Sequence, residues 1–542
     1  MAGHLGADDM TFEVKYKDLL GRVGRFSVGN KILETPALLP VVNPRTLDIP
    51  PKELLNEFGY RGLMTNSYIL HTHLAAEVEE KGVHRLLDYD GIIMTDSGAY
   101  QILRYGKVSI SPLEILEFQK RIKTDIGVIL DIPTGGHVTQ SYAEYTVNET
   151  MKRAEEATRH MGDEKVLWTG PVQGGTYIDL VAISARRMAK LPFDLYALGS
   201  PTEIMEQYHF DVLVEMVMAA KRNLPPQKPL HLFGAGHPLI FSFAVAMGCD
   251  LFDSAAYALF AKEDRYITET GTVKLKNLEY FPCLCPACRK QTPAEVKKQP
   301  KTEREQFLMR HNLYICRGEI DRVKQAVSEG RLWELLELRA RAHPSLLTAL
   351  QTLGRHNAEL ERHTPTYKPR GIFILGDTAI QRPEILSHER HLLHNYQKPK
   401  NAETLLLLPQ TSSKPFHTSP EYKKVKKALR DAAVNLRQLH ICFYTTPFGV
   451  VPIELDEIYP LSQFETVHPP TAEMRLRAVE AVGEYLTVHH YEEVLLHADP
   501  TLLDLKALGN LKKRTPLKEI TRSRDPWSKR AISRIQKALK TA

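Results

Sequence analysis

No apolar run in this 542-residue chain reaches the ~18 residues that a membrane-spanning helix needs. The best candidate, Pro238–Phe252, is broken by Ser242, Gly248 and Asp250. The N-terminus, MAGHLGADDM, has no basic segment followed by an apolar one, so no secretory signal is visible. Cysteine is scarce at six residues, and three of them fall within Cys283–Cys288. That clustering argues against a disulfide framework and for a metal site in a reducing, cytoplasmic compartment. No G-x-G-x-x-G follows the first strand of the alternating pattern described below, which weakens an open dinucleotide-binding sheet. No Walker motif is present, so no nucleotide energy is called for. With three tryptophans, the chain is poorly equipped to line a sugar groove. Repeats and low-complexity tracts are also missing.

What is present reads as a globular protein. Hydrophobic residues make up 43% and charged residues 25%, which excludes disordered, collagenous and coiled-coil chains. The length suggests two to four domains. The net charge of +6 is uneven. Between Lys506 and Ala542 there are 12 Lys and Arg against Glu519 and Asp525. We read 504–542 as a basic tail, a feature that meets phosphate or is simply solvated.

The first half alternates short apolar runs with amphipathic stretches. Eight candidate strands stand out: Ala37–Val42, Gly62–Thr65, Ile92–Thr95, Ile126–Leu130, Val166–Val172, Leu195–Leu198, Pro229–Phe233 and Asp250–Phe252. Helical periodicity lies between them, as in Tyr142–His160 and in Ile204, Tyr208, Val212 and Met216. Eight such units predict an α/β fold, a (β/α)₈ TIM barrel. Phe12–Leu39 alternates and carries Gly21, Gly24 and Gly29, so a hairpin or small sheet precedes the barrel. Glu361–Arg370 reads as a linker. The barrel domain is therefore placed at 1–365 and a smaller α/β domain at 366–503. In the latter, Gly371–Leu375, Thr404–Leu408 and His440–Tyr444 are strand-like, and Tyr422–Leu436 and Ala472–Tyr485 helix-like.

Cys283-x-Cys285-x₂-Cys288, followed at a distance by His311, supplies three thiolates and an imidazole for one tetrahedral Zn²⁺. Four protein ligands leave no open position, so this zinc subdomain, about 281–316, is structural. Cys316 rivals His311 as the fourth ligand, although Cys316 and Cys249 read best as small buried hydrophobes.

The second feature is a set of polar strand ends. Asp96-Ser97-Gly98-Ala99-Tyr100 follows one strand, Asp131 another, then Gln173-Gly174-Gly175, Leu198-Gly199-Ser200, Gly234-Ala235-Gly236 and Asp253. An Asp after a strand is more often a helix cap than a catalyst. In a barrel, however, all six ends meet at one rim, where active sites sit. Asp96 and Asp253 suit displacement at a sugar carbon, one attacking and one handling the proton. Asp131 and Gln173 suit the edge of a polar heterocycle, and Tyr100 its face. A retaining glycoside hydrolase would use the same carboxylate pair.

The ordered motifs DSGAYQ, VQGG, ALGSP, FGAGHP, DLFDSAAY and CLCPAC…H resemble those of tRNA-guanine transglycosylases, over roughly Phe12–Leu346. The archaeal branch, 7-cyano-7-deazaguanine tRNA-ribosyltransferase, is the nearer. Asp131 followed by IPTGG fits it, and Thr446–Glu465 resembles part of the archaeal C-terminal extension. The resemblance implies exchange of guanine 15 in the D-arm of tRNA for 7-cyano-7-deazaguanine (preQ0), towards archaeosine. It implies Asp253 as nucleophile and Asp96 as general acid/base. Asp131, Gln173, Ser97 and the Leu198–Gly199 backbone would bind the base, with Tyr100 stacked on it. It further implies zinc on Cys283, Cys285, Cys288 and His311, and a homodimer formed around the zinc region. Alternatives within the class are queuosine-type exchange at the anticodon and a non-catalytic tRNA-binding subunit. Full-length archaeal members end in a PUA domain. No such pattern is visible after Leu503, so the basic tail or a separate PUA-containing chain is expected to take that part. Leu405–Pro420 faintly resembles the lysine motif of archaeosine synthases, but Gln410 stands at its cysteine, so Lys414 reads as an ordinary loop lysine.

Overall fold

The computed structural model describes residues 12–99, 110–162 and 165–541. It divides into two compact units, Met1–His356 and Asn357–Ala542. The division falls before the expected boundary at 365/366. The proline-bearing segment read as a linker begins inside a helix, Asn357–His363.

The first unit opens with a three-stranded antiparallel meander, β1 (Phe12–Asp18), β2 (Gly21–Val28) and β3 (Lys31–Thr35). Eight parallel strands follow: β4 (Ala37–Pro40), β5 (Gly62–Asn66), β6 (Ile92–Asp96), β7 (Ile126–Val128), β8 (Leu167–Val172), β9 (Leu195–Leu198), β10 (Leu230–Leu232) and β11 (Leu251–Ser254). All eight coincide with the sequence reading. Their order is β4-β11-β10-β9-β8-β7-β6-β5. The ring closes between β4 and β5, through a parallel bridge of Val41 and Met64 and a 2.8 Å bond from the Val42 N–H to the Met64 carbonyl. This is a TIM-like barrel, with helices between its strands.

Side chains alternate along each strand, so Leu39, Met64, Met94, Val128 and Leu251 share one buried cluster. Phe26, Val28 and Leu33 of the meander join it, which closes the barrel at the end where the strands begin. Arg22 of β2 clamps Asp250, just before β11, through a buried two-point ion pair. The run Pro238–Phe252 resolves into a wholly buried helix, Pro238–Ala246, and β11. Among the described residues no helix is long and apolar enough to cross a membrane. The four-residue spacing from Ile204 to Met216 does not build one helix. It is split into Thr202–Glu206 and Phe210–Asn223 at Tyr208, whose φ is +61° and whose ring stacks on His343 at 4.6 Å. Periodicity survives this break because it counts apolar residues and is blind to backbone sign.

After the barrel comes a hairpin, β12 (Arg265–Thr268) and β13 (Gly271–Lys274), and a 29-residue helix, Lys301–Glu329. The second unit contains β14 (Ile372–Ile374), β15 (Thr404–Pro409), β16 (Leu439–Thr445), β17 (Gly449–Pro452), β18 (Phe464–Thr466), β19 (Glu493–Ala498) and β20 (Leu517–Arg522). β14 pairs with β18, and the main sheet runs β17-β16-β15-β19-β20. Leu406, Leu408, Phe443 and Leu495 face one buried cluster, and Leu405, Leu407, Tyr444 and Leu496 the other, so both sheet faces are covered.

The expected basic tail is not a tail. β20 pairs in parallel with β19, and the helix Lys529–Thr541 buries Ile532, Ile535 and Leu539 against the sheet. The count of charges concealed an amphipathic helix with its apolar side inward.

Candidate active site and metal centre

The C-terminal ends of the barrel strands carry the polar residues, because each strand ends where its backbone turns outward to a helix. β6 ends on Asp96. Its carboxylate accepts from the Asn66 side-chain amide at 2.8 Å, and the Ser67 hydroxyl donates to the Asp96 carbonyl at 2.7 Å. Burial, then the negative charge of Asp131 and Asp253, pushes the Asp96 carboxyl up to about 7, against the N–H groups of Gly98 and Ser97. Asp96 thus holds a proton through much of the range below neutrality. Ser97 is fully buried, and its hydroxyl has no partner among the described residues. Tyr100 lies outside the described residues.

Asp253, on β11, is handled differently. His231 Nε2 lies 2.9 Å from Asp253 Oδ1, and the Gly234 N–H donates to the same oxygen at 3.0 Å. Oδ2 has no hydrogen-bond partner among the described residues. The carboxylate is therefore held by one oxygen and offers the other. Gly234 reaches it from φ +69°, and a Cβ there would meet Thr202 Oγ1 at 2.5 Å. His231 is fully buried on β10, and its Nδ1 is unpartnered among the described residues.

Asp131 follows β7 and accepts from Gln173 Nε2 at 2.6 Å. The other end of that amide is fixed as well, since Gln173 Oε1 accepts from the Thr134 N–H (3.1 Å), the Thr134 hydroxyl (3.1 Å) and the Ser200 hydroxyl (3.0 Å). Burial raises the Asp131 carboxyl to about 6, opposed by the Gln173 amide and by Arg153. Gly199 makes room for this pair: a Cβ there would sit 2.2 Å from Gln173 Nε2. The backbone expected to read a base is already partly used. The Gly199 N–H donates to the Val172 carbonyl at 2.9 Å, and the Leu198 carbonyl accepts from Phe233 at 3.3 Å, keeping one lone pair.

Sequence reasoning did not find Asn66, Ser67 or His231, and it placed Thr134 and Ser200 at strand ends without seeing that they hold Gln173. Asn66 was legible in principle, since it ends β5 as Asp96 ends β6 in the same register. His231 lies inside a strand and gave no signal.

The candidate metal ligands come together from two elements. The ligand atoms of Cys283, Cys285, Cys288 and His311 all lie within 4.8 Å of one another. His311 Nδ1 is 3.2 Å from Cys288 Sγ and 3.7 Å from Cys285 Sγ, close to the edges of a tetrahedron with metal–ligand bonds of about 2.0–2.3 Å. His311 Nε2 lies 2.8 Å from the Ile267 carbonyl, which fixes the tautomer that turns the Nδ1 lone pair to the thiols. The Tyr266 ring stacks on that imidazole at 3.5 Å, and its hydroxyl is 3.3 Å from Cys288 Sγ. The set fits one four-coordinate ion with no vacancy for substrate. Cys316 takes no part, as its thiol points to the Gly236 carbonyl at 3.4 Å. Cys249 is buried.

Residues 18–345 match the family model described as queuine tRNA-ribosyltransferase, and residues 385–539 match a domain of unknown function. The tRNA-guanine(15) transglycosylase of Methanocaldococcus jannaschii is 43% identical over 467 residues, 84% of this chain and 68% of the relative. The Pyrobaculum aerophilum protein of that name is 41% identical over 516 residues, 94% of this chain and 99% of its own. The Pyrococcus furiosus protein of that name is 40% identical, covering 89% of this chain and 76% of its own.

Proposed function

The chain belongs to the tRNA-guanine transglycosylase family, and we propose that it exchanges guanine 15 in the D-arm of tRNA for preQ0, through a covalent ribosyl intermediate on Asp253. The observation that carries this reading is the unlike treatment of two carboxylates at one barrel rim. Asp96 is held near neutrality with a proton to give, while Asp253 is gripped by one oxygen and free at the other.

In the first half-reaction Asp253 Oδ2 attacks C1′ of the target nucleoside. A C1′–O bond forms, the C1′–N9 bond breaks, and Asp96 gives its proton to the departing guanine. In the second half-reaction Asp96 takes the N9 proton of the incoming base. N9 displaces Asp253 from C1′, so enzyme and proton count are restored. No external energy source is needed, because one glycosidic bond replaces another. His231 and the Gly234 N–H orient Asp253, and Asn66 orients Asp96. Asp131 and Gln173 face the polar edge of the base, with Gln173 locked at its far end by Thr134 and Ser200. Tyr100 is assigned the stacking face. Zinc would be held by Cys283, Cys285, Cys288 and His311, and would tie the hairpin β12–β13 and the knuckle to the long helix. We assign the homodimer contact to this knuckle, where Tyr280 and Leu284 are 84% and 87% exposed.

The test is a chase. An unmodified archaeal tRNA carrying labelled guanine at position 15 is incubated with the protein and preQ0. Release of label, with the cyano-deazaguanine recovered at position 15, is expected. Release from the anticodon alone would move the protein to queuosine-type exchange, and no release from a metal-loaded protein would make it a non-catalytic subunit.

A further inference from the structure

The second unit contains a feature that the exchange chemistry does not use. The helix Pro420–Asp431 and the helix Lys529–Thr541 lie on the same face of the five-stranded sheet. Tyr422, Val425 and Leu429 of the first and Ile532, Ile535 and Leu539 of the second enter one core cluster. Their outer sides are cationic. The first exposes Lys423, Lys424, Lys426, Lys427 and Arg430, against Glu421 and Asp431. The second exposes Lys529, Arg530, Arg534, Lys537 and Lys540, with no acidic residue at all. Together the two helices carry more positive charge than the whole chain nets at +6.

Solvated surface helices usually interleave cations with acids three or four residues away. Here the cations repeat at that spacing: Lys423 with Lys427, Lys426 with Arg430, Arg530 with Arg534. Like charges so placed weaken a helix. Of the ten side chains, all but Lys537 form no ion pair or hydrogen bond among the described residues, although the charge of Lys424 is felt by Glu421. Nearby basic residues on the sheet edge behave otherwise: Lys512 and Arg522 share Glu519, and Lys518 pairs with Glu493. Exposed cations occur elsewhere in this unit, Lys506 and Lys513 among them, but these two helices gather ten of them on one face. A groove of 750 Å³ runs between the helices, with Trp527 in its wall and Glu421 and Asp525 among its lining. Lys424 and Lys529 line the same groove, so the two acids there are matched by two cations, and the uncompensated charge lies on the flanking helix crests.

We infer that this two-helix face is a docking surface for the phosphodiester backbone of tRNA. The inference rests on the proposed function for the identity of the RNA. It also replaces the reading of 504–542 as a basic tail. Deleting Lys512–Ala542 would strip β20 and a core helix from the sheet, so it cannot report on binding alone.

Phosphate contacts are read by salt. Each cation that neutralises a phosphate adds about 0.9 to the slope of log affinity against log salt. The full-length protein is titrated with an unmodified tRNA transcript across a range of KCl. Two variants, K423E/K427E and R530E/R534E, are each expected to weaken binding at least ~10-fold and to lower the slope by about 2. K506E/K513E, on exposed positions of the opposite sheet face, is expected to leave both unchanged. The lysine-to-glutamine version of the first variant should give a smaller effect of the same sign, and near-ultraviolet dichroism checks that each protein is folded. Wild-type affinity and slope in both reversal variants would overturn the inference and send the face to a partner protein. Wild-type binding without base exchange would overturn the functional reading alone, and failure of the wild-type protein to bind tRNA would overturn both.

Discussion

The barrel rim and the two basic helices of the second unit place their charge in opposite ways. In the barrel, strands that are apolar along their length end in Asp96, Asp131, Gln173 or Asp253, and the ring gathers those ends at one rim. In the second unit the central strand is apolar through Leu405–Leu408, and the clustered cations lie outside, on two helices covering one sheet face. Gathered charges lose water and press on one another, so burial and neighbours move their proton affinities, as at Asp96 and Asp131. Outward charges stay hydrated and act by number and by salt. Changes at the rim should therefore alter the chemical step, and changes on the helices should alter only how tightly RNA is held.

The strongest way to break this contrast is Asp253→Ala. Exchange should fall by more than about 10⁴-fold, together with any denaturation-resistant protein–tRNA adduct. Survival of the adduct would move the nucleophile elsewhere. Cys285→Ser comes next, because a structural metal site contributes its binding energy to folding. Metal content, measured by atomic absorption, and melting temperature should drop together; unchanged metal content would sink the zinc assignment.

Asp96→Asn sharpens the contrast. It should slow exchange by about 10²–10⁴-fold while tRNA affinity holds, as expected for lost proton transfer. The wild-type rate should fall as pH rises through about 7, where Asp96 gives up the proton it must donate. Stability carries the same signature. The folded protein keeps a proton on Asp96 between about 4 and about 7 that the unfolded chain has released, so stability declines across that window as pH rises. A melting-temperature series in Asp96→Asn should lose that part of the slope. Asp131→Asn should move the rate inflection down, since it removes a charge that raises the Asp96 carboxyl. An unmoved inflection would show that the two carboxylates do not sense each other.

The smallest effect is expected from Gly199→Ala. The new methyl would displace Gln173 from Asp131, raising KM for the incoming base about tenfold with tRNA affinity intact. An unchanged KM would remove the Gln173–Asp131 pair from base recognition.

Much of this molecule was legible from its residues because the signals were local. Eight β/α alternations announced a barrel, and three cysteines in six residues with a later histidine announced a metal site. A strand followed by Asp, or by Gly-Gly, marks a strand end wherever it occurs. Other features needed distant partners. Tyr208 looked helical until its positive φ split the helix, and 504–542 looked like a tail because charge counting ignores which side of a helix faces in. The choice of His311 over Cys316 likewise turned on which helix face meets the knuckle. The sequence alone determined the order of polar strand ends along the chain, three of the four candidate metal ligands and the family. Only the tertiary structure decided that Asp253 is held through a single oxygen, that Asp96 senses Asp131, and that two basic helices far apart in sequence share one face. Those are properties of distance and burial, and residues far apart along a chain have neither until the chain folds.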